Sequence, residues 1–282
     1  MYHRLWDSKE LPFDVWNVGN VSAKQPLRSR RISGRGGDWG GSDSAGGQLF
    51  WGTGISEKRN KYYLRKERAF SMAEVIRVEN VTKRFGDVVA LDRINMTFEN
   101  GKIYGIIGRN GSGKTVLFKT MIGYLKPTSG RVVVGDKEIG KEIDFADNMG
   151  IIIENPGFLS RYTGYKNLEY LASIRKLIGR EQIRESMERV GLDPDSRKRV
   201  GKYSLGMRQR LGIAQAIMEN PDILILDEPM NGLDNQGVEE VRSILLGLKG
   251  QGKTVILASH NKEDIEVLCD RVYEMEHGRL CS

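Results

Sequence analysis

Apolar residues recur with two different spacings after residue 74, and each spacing predicts a different kind of element. The run Val75-Ile-Arg-Val-Glu-Asn-Val alternates apolar and polar positions, as half-buried strands do, and 88–91 and 94–98 resemble its partners. Continuous short apolar runs typical of buried parallel strands occupy 103–107, 151–153, 223–226 and 255–258. The pattern predicts an α/β fold with a mostly parallel core sheet, preceded by a smaller antiparallel sheet.

Apolar positions three and four residues apart predict helices between these strands. Such spacing is found at 165–174, at 181–190 and after Ser204, and 116–122 also has a helical pattern. Gly179 and Gly191 are expected to end the first two of these helices. The sequence therefore predicts a helical subdomain at about 156–215 inside a domain that spans 72–282.

The overall composition is that of a globular protein with a substantial core. Hydrophobic residues make up 39% of the 282 residues and charged residues 29%. No apolar run approaches the roughly 18–20 residues of a membrane helix, and a secretory signal is not expected at the first residues. Two cysteines exclude a disulfide scaffold and a four-cysteine zinc site, and they fit a reducing cytosol.

The positive charge of the chain is concentrated in its first quarter. Residues 1–72 contain 13 Lys and Arg against 7 Asp and Glu, whereas 73–282 contain 31 against 30. The first segment also contains all four tryptophans and a glycine-rich stretch at 34–54. The main body is nearly neutral, so the sequence predicts no nucleic-acid partner for it.

Three interpretations of residues 1–71 remain open. The segment shows no sustained helical or strand period, which fits a disordered extension without a binding role, or a basic tail for nucleic acid or a membrane. It could also arise from an incorrectly assigned gene start, because ordered patterning begins at Met72 and Lys66-Glu67 could be encoded by a ribosome-binding sequence. Detection of native peptides from before Met72 by mass spectrometry would exclude this third interpretation.

A phosphate-binding loop follows the strand predicted at 103–107. The residues at 108–115 fit the pattern G-x-x-x-x-G-K-[ST], in which glycines let backbone N–H groups surround phosphates. The lysine of this pattern reaches the β- and γ-phosphates, and its threonine binds Mg²⁺. The candidate nucleotide-binding residues are Gly108, Arg109, Asn110, Gly111, Ser112, Gly113, Lys114 and Thr115.

Polar residues follow the other predicted parallel strands as well. Asp227 and Glu228 end the strand at 223–226, where Asp227 suits a Mg²⁺ shell and Glu228 suits a general base. Glu154 and His260 come after the strands at 151–153 and 255–258. Paired acids at a strand end can also be solvated turn residues. Because the carboxyl ends of parallel strands share one edge, all four residues are expected at one site.

Residues 75–280 resemble the nucleotide-binding subunit of an ATP-binding-cassette (ABC) transporter. The segment Tyr203-Ser-Leu-Gly-Met-Arg-Gln-Arg is similar to the family signature Leu-Ser-Gly-Gly-Gln, with Ser204 and Gly206 matching it. Tyr203, Leu205 and Met207 depart from it. Asn231-Gly-Leu-Asp234 resembles the loop that crosses between subunits. Phe85 matches the aromatic residue that stacks on adenine, although it could instead pack in the small antiparallel sheet.

The resemblance implies a P-loop ABC-type ATPase domain with ATP and Mg²⁺ as its ligands. Thr115, Asp227 and Glu154 would bind Mg²⁺, Glu228 would orient the attacking water, and His260 would brace the γ-phosphate. Glu154 stands where the family usually has glutamine. Ser204, Gly206 and Asp234 would meet the ATP of a second subunit in a homodimer, or in a heterodimer with another ATPase subunit.

The resemblance also implies protein partners and a cellular location. A separate transmembrane permease would dock near Glu154 and 156–200, which puts the chain on the cytoplasmic face of the membrane. The combination of Glu154 and the altered signature resembles exporters of peptide antibiotics and multidrug-type substrates in Gram-positive bacteria. The alternatives are a non-transport ABC ATPase in translation, DNA maintenance or cofactor assembly, and a non-catalytic ATP-gated regulatory subunit.

Overall fold

The computed structural model describes residues 74–154 and 156–281. The interpretations of 1–71 concern residues outside these ranges. The strands are β1 Glu74–Phe85, β2 Val88–Glu99, β3 Ile103–Ile107, β4 Ser129–Val134, β5 Lys137–Glu138, β6 Met149–Ile152, β7 Ile223–Asp227, β8 Thr254–Ala258, β9 Arg271–Glu276 and β10 Arg279–Leu280. The helices are α1 Lys114–Met121, α2 Gly164–Arg175, α3 Arg180–Arg189, α4 Leu205–Ile217, α5 Asn235–Gly250 and α6 Lys262–Leu268. A short 3₁₀ turn covers Val200–Lys202.

Two sheets form the framework of the described residues. The first is antiparallel, with the strand order β2-β1-β4-β5, and the second has the order β10-β9-β3-β8-β7-β6. In the second sheet β9, β3, β8, β7 and β6 all run parallel. The predicted α/β fold with a mostly parallel core sheet and an N-terminal antiparallel sheet is therefore confirmed.

The central strands have a core on each face, because successive side chains of a strand point to opposite sides. In β7, Ile225 packs in the core shared with the antiparallel sheet and α1, whereas Leu224 and Leu226 pack in the core below the other helices. β8 repeats this division, with Ile256 on the first side and Leu257 on the second. Burial on both faces explains why these strands are continuous apolar runs.

One of the two predicted helix ends is correct. Gly191 has φ +73° just beyond the end of α3, as a C-terminal glycine does. Gly179 was expected to end α2 but instead precedes the first residue of α3, where its N–H donates to the side chain of Gln182. α2 ends at Arg175, and Lys176 takes the left-handed conformation there. The subdomain boundaries near 156 and 215 stay a prediction.

Candidate nucleotide-binding site

The parallel strands bring the predicted polar residues to one edge of the core sheet. β3 lies beside β8, β8 beside β7, and β7 beside β6, so their carboxyl ends share that edge. The phosphate loop follows β3, Asp227 ends β7, and Ser259 and His260 follow β8. Glu154 comes after β6 at the end of the row.

The phosphate loop has a backbone that only glycine allows at two positions. Gly108 has φ +151°, and a Cβ there would lie 2.3 Å from the carbonyl oxygen of Met275. Gly113 has φ +106°, and its Cβ would lie 2.8 Å from the carbonyl oxygen of Ala90. Side chains at these positions would force the loop open. The β1–β2 hairpin and β9 thus hold the loop closely against the sheet.

Two side chains of the loop fit a phosphate ligand. Lys114 is buried, and its Nζ donates to the carbonyl oxygens of Gly108 at 2.7 Å and Arg109 at 3.2 Å. The buried Ser112 Oγ has no hydrogen-bond partner among the described residues. α1 begins at Lys114 without a side-chain cap, so its first N–H groups face the loop. A buried unpaired hydroxyl, an ammonium and a helix N-terminus together suit a polyphosphate.

Thr115 and Asp227 form a pair of oxygen donors beside the loop. Thr115 Oγ1 donates to Asp227 Oδ2 at 2.7 Å, although 112 residues separate the two. Burial raises the pKa of Asp227, while the hydrogen bond from Thr115 and the charge of Lys114 oppose that increase. Hydroxyl and carboxylate oxygens are the ligands that Mg²⁺ prefers, together with phosphate oxygens. The donor set therefore fits Mg²⁺ bound with a nucleotide.

Glu228 and His260 form the second pair at this edge. Glu228 Oε2 lies 2.8 Å from His260 Nδ1 and 3.4 Å from the His260 backbone N. Glu228 has φ +51°, a conformation that turns its side chain away from the direction of Asp227 at the end of β7. The two adjacent acids therefore contact different partners. Asp227 accepts from Thr115, and Glu228 contacts His260.

Glu154 and Phe85 are placed at the margin of the site. Glu154 Oε1 lies 2.6 Å from Lys119 Nζ on α1, and its charge raises the pKa of Asp227 further after the effect of burial. Phe85 ends β1 with 48% of its surface exposed, and Lys83 Nζ lies 5.0 Å from the ring centre. A half-exposed ring has surface available for stacking on a base, and the adenine contact of Phe85 stays a prediction.

Ser204, Gly206 and Asp234 form a separate cluster. Ser204 Oγ caps α4 by accepting from the Met207 N–H at 3.2 Å, and Asp234 Oδ1 caps α5 by accepting from the Gly237 N–H at 2.9 Å. A Cβ at Gly206 would lie 2.9 Å from the carbonyl oxygen of Gly232. Among the described residues, no hydrogen bond joins this cluster to the phosphate loop of the same chain.

The three departures from the signature differ in exposure. Tyr203 is only 5% exposed and packs in the helical core, and Met207 lies against the same core. Leu205 is 60% exposed. Ser204 is also exposed, and Gly206 and Met207 are partly exposed. The surface that the signature presents therefore includes two residues that match the family and two that depart from it.

Sequence reasoning missed residues that hold the site in place. Gln209 Nε2 donates to the backbone carbonyl oxygens of Pro229 at 2.9 Å and Glu228 at 3.3 Å, and so fixes the turn after Asp227. Ser259 Oγ donates to the buried Asp264 Oδ2 at 3.0 Å next to His260. The pairing of Lys119 with Glu154 was also missed. The one sequence feature that could have indicated Lys119 as a site residue is its position four residues after Thr115, on the same helix face.

The strand order, the phosphate loop and the paired acids define a nucleoside-triphosphate-hydrolysing cassette. Residues 91–231 match the family described as ABC transporter, and the chain belongs to this family. It is an ATPase subunit in which ATP hydrolysis is coupled to transport. Within the described residues, no helix has the length and apolar character needed to span a membrane.

Individual proteins and structures agree with this assignment. The chain is 48% identical over 206 residues to the uncharacterized ABC transporter ATP-binding protein YybJ of Bacillus subtilis, covering 73% of this chain and 94% of the relative. It is 44% identical over 211 residues to the bacitracin transport ATP-binding protein BcrA of Enterococcus faecalis, and the match covers 74% of this chain and 68% of that relative. The solved structure of the dimeric ATP-binding cassette MJ0796 bound to ADP and Pi resembles this chain with a TM-score of 0.67 and 25% sequence identity. The match covers 73% of this chain and 97% of that structure.

Proposed function

We propose that this chain powers the export of peptide antibiotics of the bacitracin class, as a dimer on the cytoplasmic face of the membrane below a separate permease. The identity of 44% to a bacitracin transport ATP-binding protein supports the cargo class. The observation that carries the ATPase role is the convergence of Lys114, Thr115–Asp227 and Glu228–His260 at one sheet edge.

Each side chain at this edge has a role that follows from its chemistry. Lys114 exchanges its carbonyl partners for phosphate oxygens, and the Ser112 hydroxyl, which has no hydrogen-bond partner among the described residues, gains one. Thr115, Asp227 and Glu154 would hold Mg²⁺, which when bound neutralises phosphate charge. Glu228 orients a water molecule and accepts its proton as the water attacks the γ-phosphorus and the bond to ADP breaks. His260 braces the γ-phosphate.

The separate cluster of Ser204, Gly206 and Asp234 supports a head-to-tail homodimer. Ser204 and the exposed Leu205 begin α4 at the surface, where the helix N-terminus can meet phosphates of another chain. Two such contacts related by a two-fold axis would make both ATP sites complete. Size-exclusion chromatography of Glu228→Gln with ATP is expected to show a dimer, and Ser204→Phe in the same background is expected to leave monomers.

An exposed apolar surface supports a permease contact between 156 and 200. It is formed by Leu159, Tyr162, Tyr170, Ile174 and Leu177, each of which is at least 40% exposed. Tyr162 and Tyr170 contact each other edge to face with ring centres 5.3 Å apart, and Lys166 lies over the Tyr170 ring. Aromatic and apolar residues in one exposed region are typical of a protein interface.

Antibiotic susceptibility tests the cargo. Deletion of the gene in its native host is expected to lower the bacitracin concentration that stops growth, and wild-type complementation is expected to restore it. Complementation with Glu228→Gln should fail, whereas Glu266→Gln, which removes an exposed carboxylate on α6, should succeed. Unchanged susceptibility after deletion, with wild-type ATPase activity intact in vitro, would contradict the cargo class and leave the ATPase assignment standing.

A further inference from the structure

Lys119 and Glu154 form an ion pair one helical turn beyond the end of the phosphate loop. Lys119 lies one helical turn after Thr115 on α1, so the ammonium is on the same helix face as the hydroxyl. Glu154 reaches it from the end of β6, with 2.6 Å between Oε1 and Nζ. The lysine side chain is 22% exposed, and its Nζ also lies 5.9 Å from the centre of the Tyr124 ring. The ring and the carboxylate together fix the position of the ammonium.

The charges of this pair act on the acid that faces the phosphate loop. Burial is the main cause of the raised pKa of Asp227, the charge of Glu154 raises it further, and the charge of Lys119 lowers it. The two members of the pair therefore oppose each other at Asp227. With Lys119 neutralised, Glu154 would add an uncompensated negative charge at the place where a polyphosphate binds.

We propose that Lys119 is a positioning residue that acts as the counter-ion of Glu154 and so allows a carboxylate to stand beside the bound nucleotide. The inference rests on the proposed nucleotide site. A glutamine at position 154 would be neutral and would need no counter-ion, so the requirement for Lys119 depends on the identity of residue 154. This dependence distinguishes a counter-ion from a lysine that binds phosphate directly.

A double-mutant cycle in metal-free solution measures that dependence. Affinity for ADP is determined in EDTA at low salt for the wild type, Lys119→Met, Glu154→Gln and the double variant. Lys119→Met is expected to weaken ADP binding about tenfold when residue 154 is glutamate and less than about twofold when it is glutamine. Higher salt should reduce the first effect, because salt screens exposed charges.

Three further variants serve as controls. Lys119→Arg retains the positive charge and is expected to recover most of the lost affinity. Lys137→Met removes an exposed positive charge on β5 and is expected to leave ADP affinity unchanged. Lys119→Gln is measured with the others, so that poor folding of Lys119→Met does not decide the outcome, and circular dichroism checks every variant.

The outcomes separate this inference from the proposed function. Equal losses from Lys119→Met in both backgrounds would overturn the counter-ion role, because Lys119 would then act on the nucleotide or on α1 itself. No loss in the glutamate background would overturn it too. If the folded wild type bound neither ADP in EDTA nor ATP with Mg²⁺, the proposed nucleotide site itself would be wrong.

Discussion

Thr115 Oγ1 and Asp227 Oδ2 lie 2.7 Å apart, which joins the first turn of α1 to the end of β7 across the edge of the sheet. β3 precedes the phosphate loop and is separated from β7 by β8 alone, so the parallel order of the sheet brings the two residues together. The hydrogen bond preorganises the two oxygens that would meet Mg²⁺. It also offsets part of the cost of partly burying the Asp227 carboxylate, whose pKa burial raises.

Asp227→Asn is expected to stabilise the metal-free protein at neutral pH. Burial raises the pKa of Asp227, so the folded protein keeps this proton to a higher pH than the unfolded chain does. The free energy of unfolding therefore decreases as pH rises from the pKa of the unfolded chain, near 4, through the raised pKa of the folded protein. Above the folded-state pKa the whole loss of stability is present. Asparagine removes the charge and keeps an oxygen that accepts from Thr115.

Urea unfolding in EDTA between pH 4 and 8 measures this effect. The difference in unfolding free energy between Asp227→Asn and the wild type should grow with pH and then become constant. Asp136→Asn, which changes an exposed acid in the turn before β5, should show no such trend. A less stable Asp227→Asn protein at pH 7 would contradict the account. ATP hydrolysis should be lost in Asp227→Asn and retained in the control.

Ser112→Ala is expected to weaken nucleotide binding without destabilising the free protein. The Ser112 hydroxyl is buried and has no partner among the described residues, so its removal relieves an unpaired polar group. The unfolding free energy should stay equal or rise by up to about 1 kcal/mol, while ATP affinity falls about tenfold. Calorimetric titration with ATP and urea unfolding measure the two effects.

Ser186→Ala is the matched control for this experiment. Ser186 is also buried, but its Oγ donates to the carbonyl oxygen of Ile183 at 2.7 Å on α3. Its removal should cost about 1 kcal/mol of unfolding free energy and leave ATP affinity unchanged. The account would be refuted by a Ser112→Ala protein that loses stability and keeps its affinity.

The buried ion pair of Arg242 and Asp264 is expected to be important for stability. Arg242 on α5 donates to Asp264 Oδ1 from Nε at 3.0 Å and from Nη2 at 2.7 Å, and both side chains are at most 4% exposed. Asp264 also accepts from Ser259, the residue before His260. Arg242→Met should cost about 3–5 kcal/mol of unfolding free energy, because it leaves a buried charge unpaired.

Replacement of both members tests the reason for that loss. Arg242→Met with Asp264→Leu should be less destabilising than Arg242→Met alone, since no unpaired charge remains. Arg184→Met breaks an exposed ion pair with Asp195 and should have a much smaller effect. Equal losses from Arg242→Met and Arg184→Met in urea unfolding would show that burial of the pair is unimportant.

The sequence predicts the central strands and the residues at their ends because that information is local. Runs such as Ile223–Leu226 are buried on both faces, so they stand out as continuous apolar segments. β9 was not predicted, because Arg271–Glu276 lies near the sheet edge, is mostly exposed and contains neither a continuous apolar run nor a regular alternation. α5 was also missed, although Val241, Leu245 and Leu248 follow a helical spacing.

The contacts that complete the site depend on tertiary structure. Glu154 pairs with a lysine 35 residues earlier in the chain, and that contact exists only because β6 lies beside β7 at the edge of the sheet. Gly179 shows a similar limit, since a glycine between two helices can end one or begin the next. Local sequence identified the chemical groups, and the order of the strands determined their partners.

Recovery of partners with the Glu228→Gln protein from native membranes tests the central claim most directly. The tagged variant binds ATP without hydrolysing it, so it should stay closed on its partner when membranes are solubilised with Mg-ATP. Mass spectrometry is expected to identify a polytopic membrane protein enriched over a Lys114→Ala control, which cannot bind ATP. Ribosomal, DNA-bound or other soluble proteins without a membrane partner would contradict the transporter account.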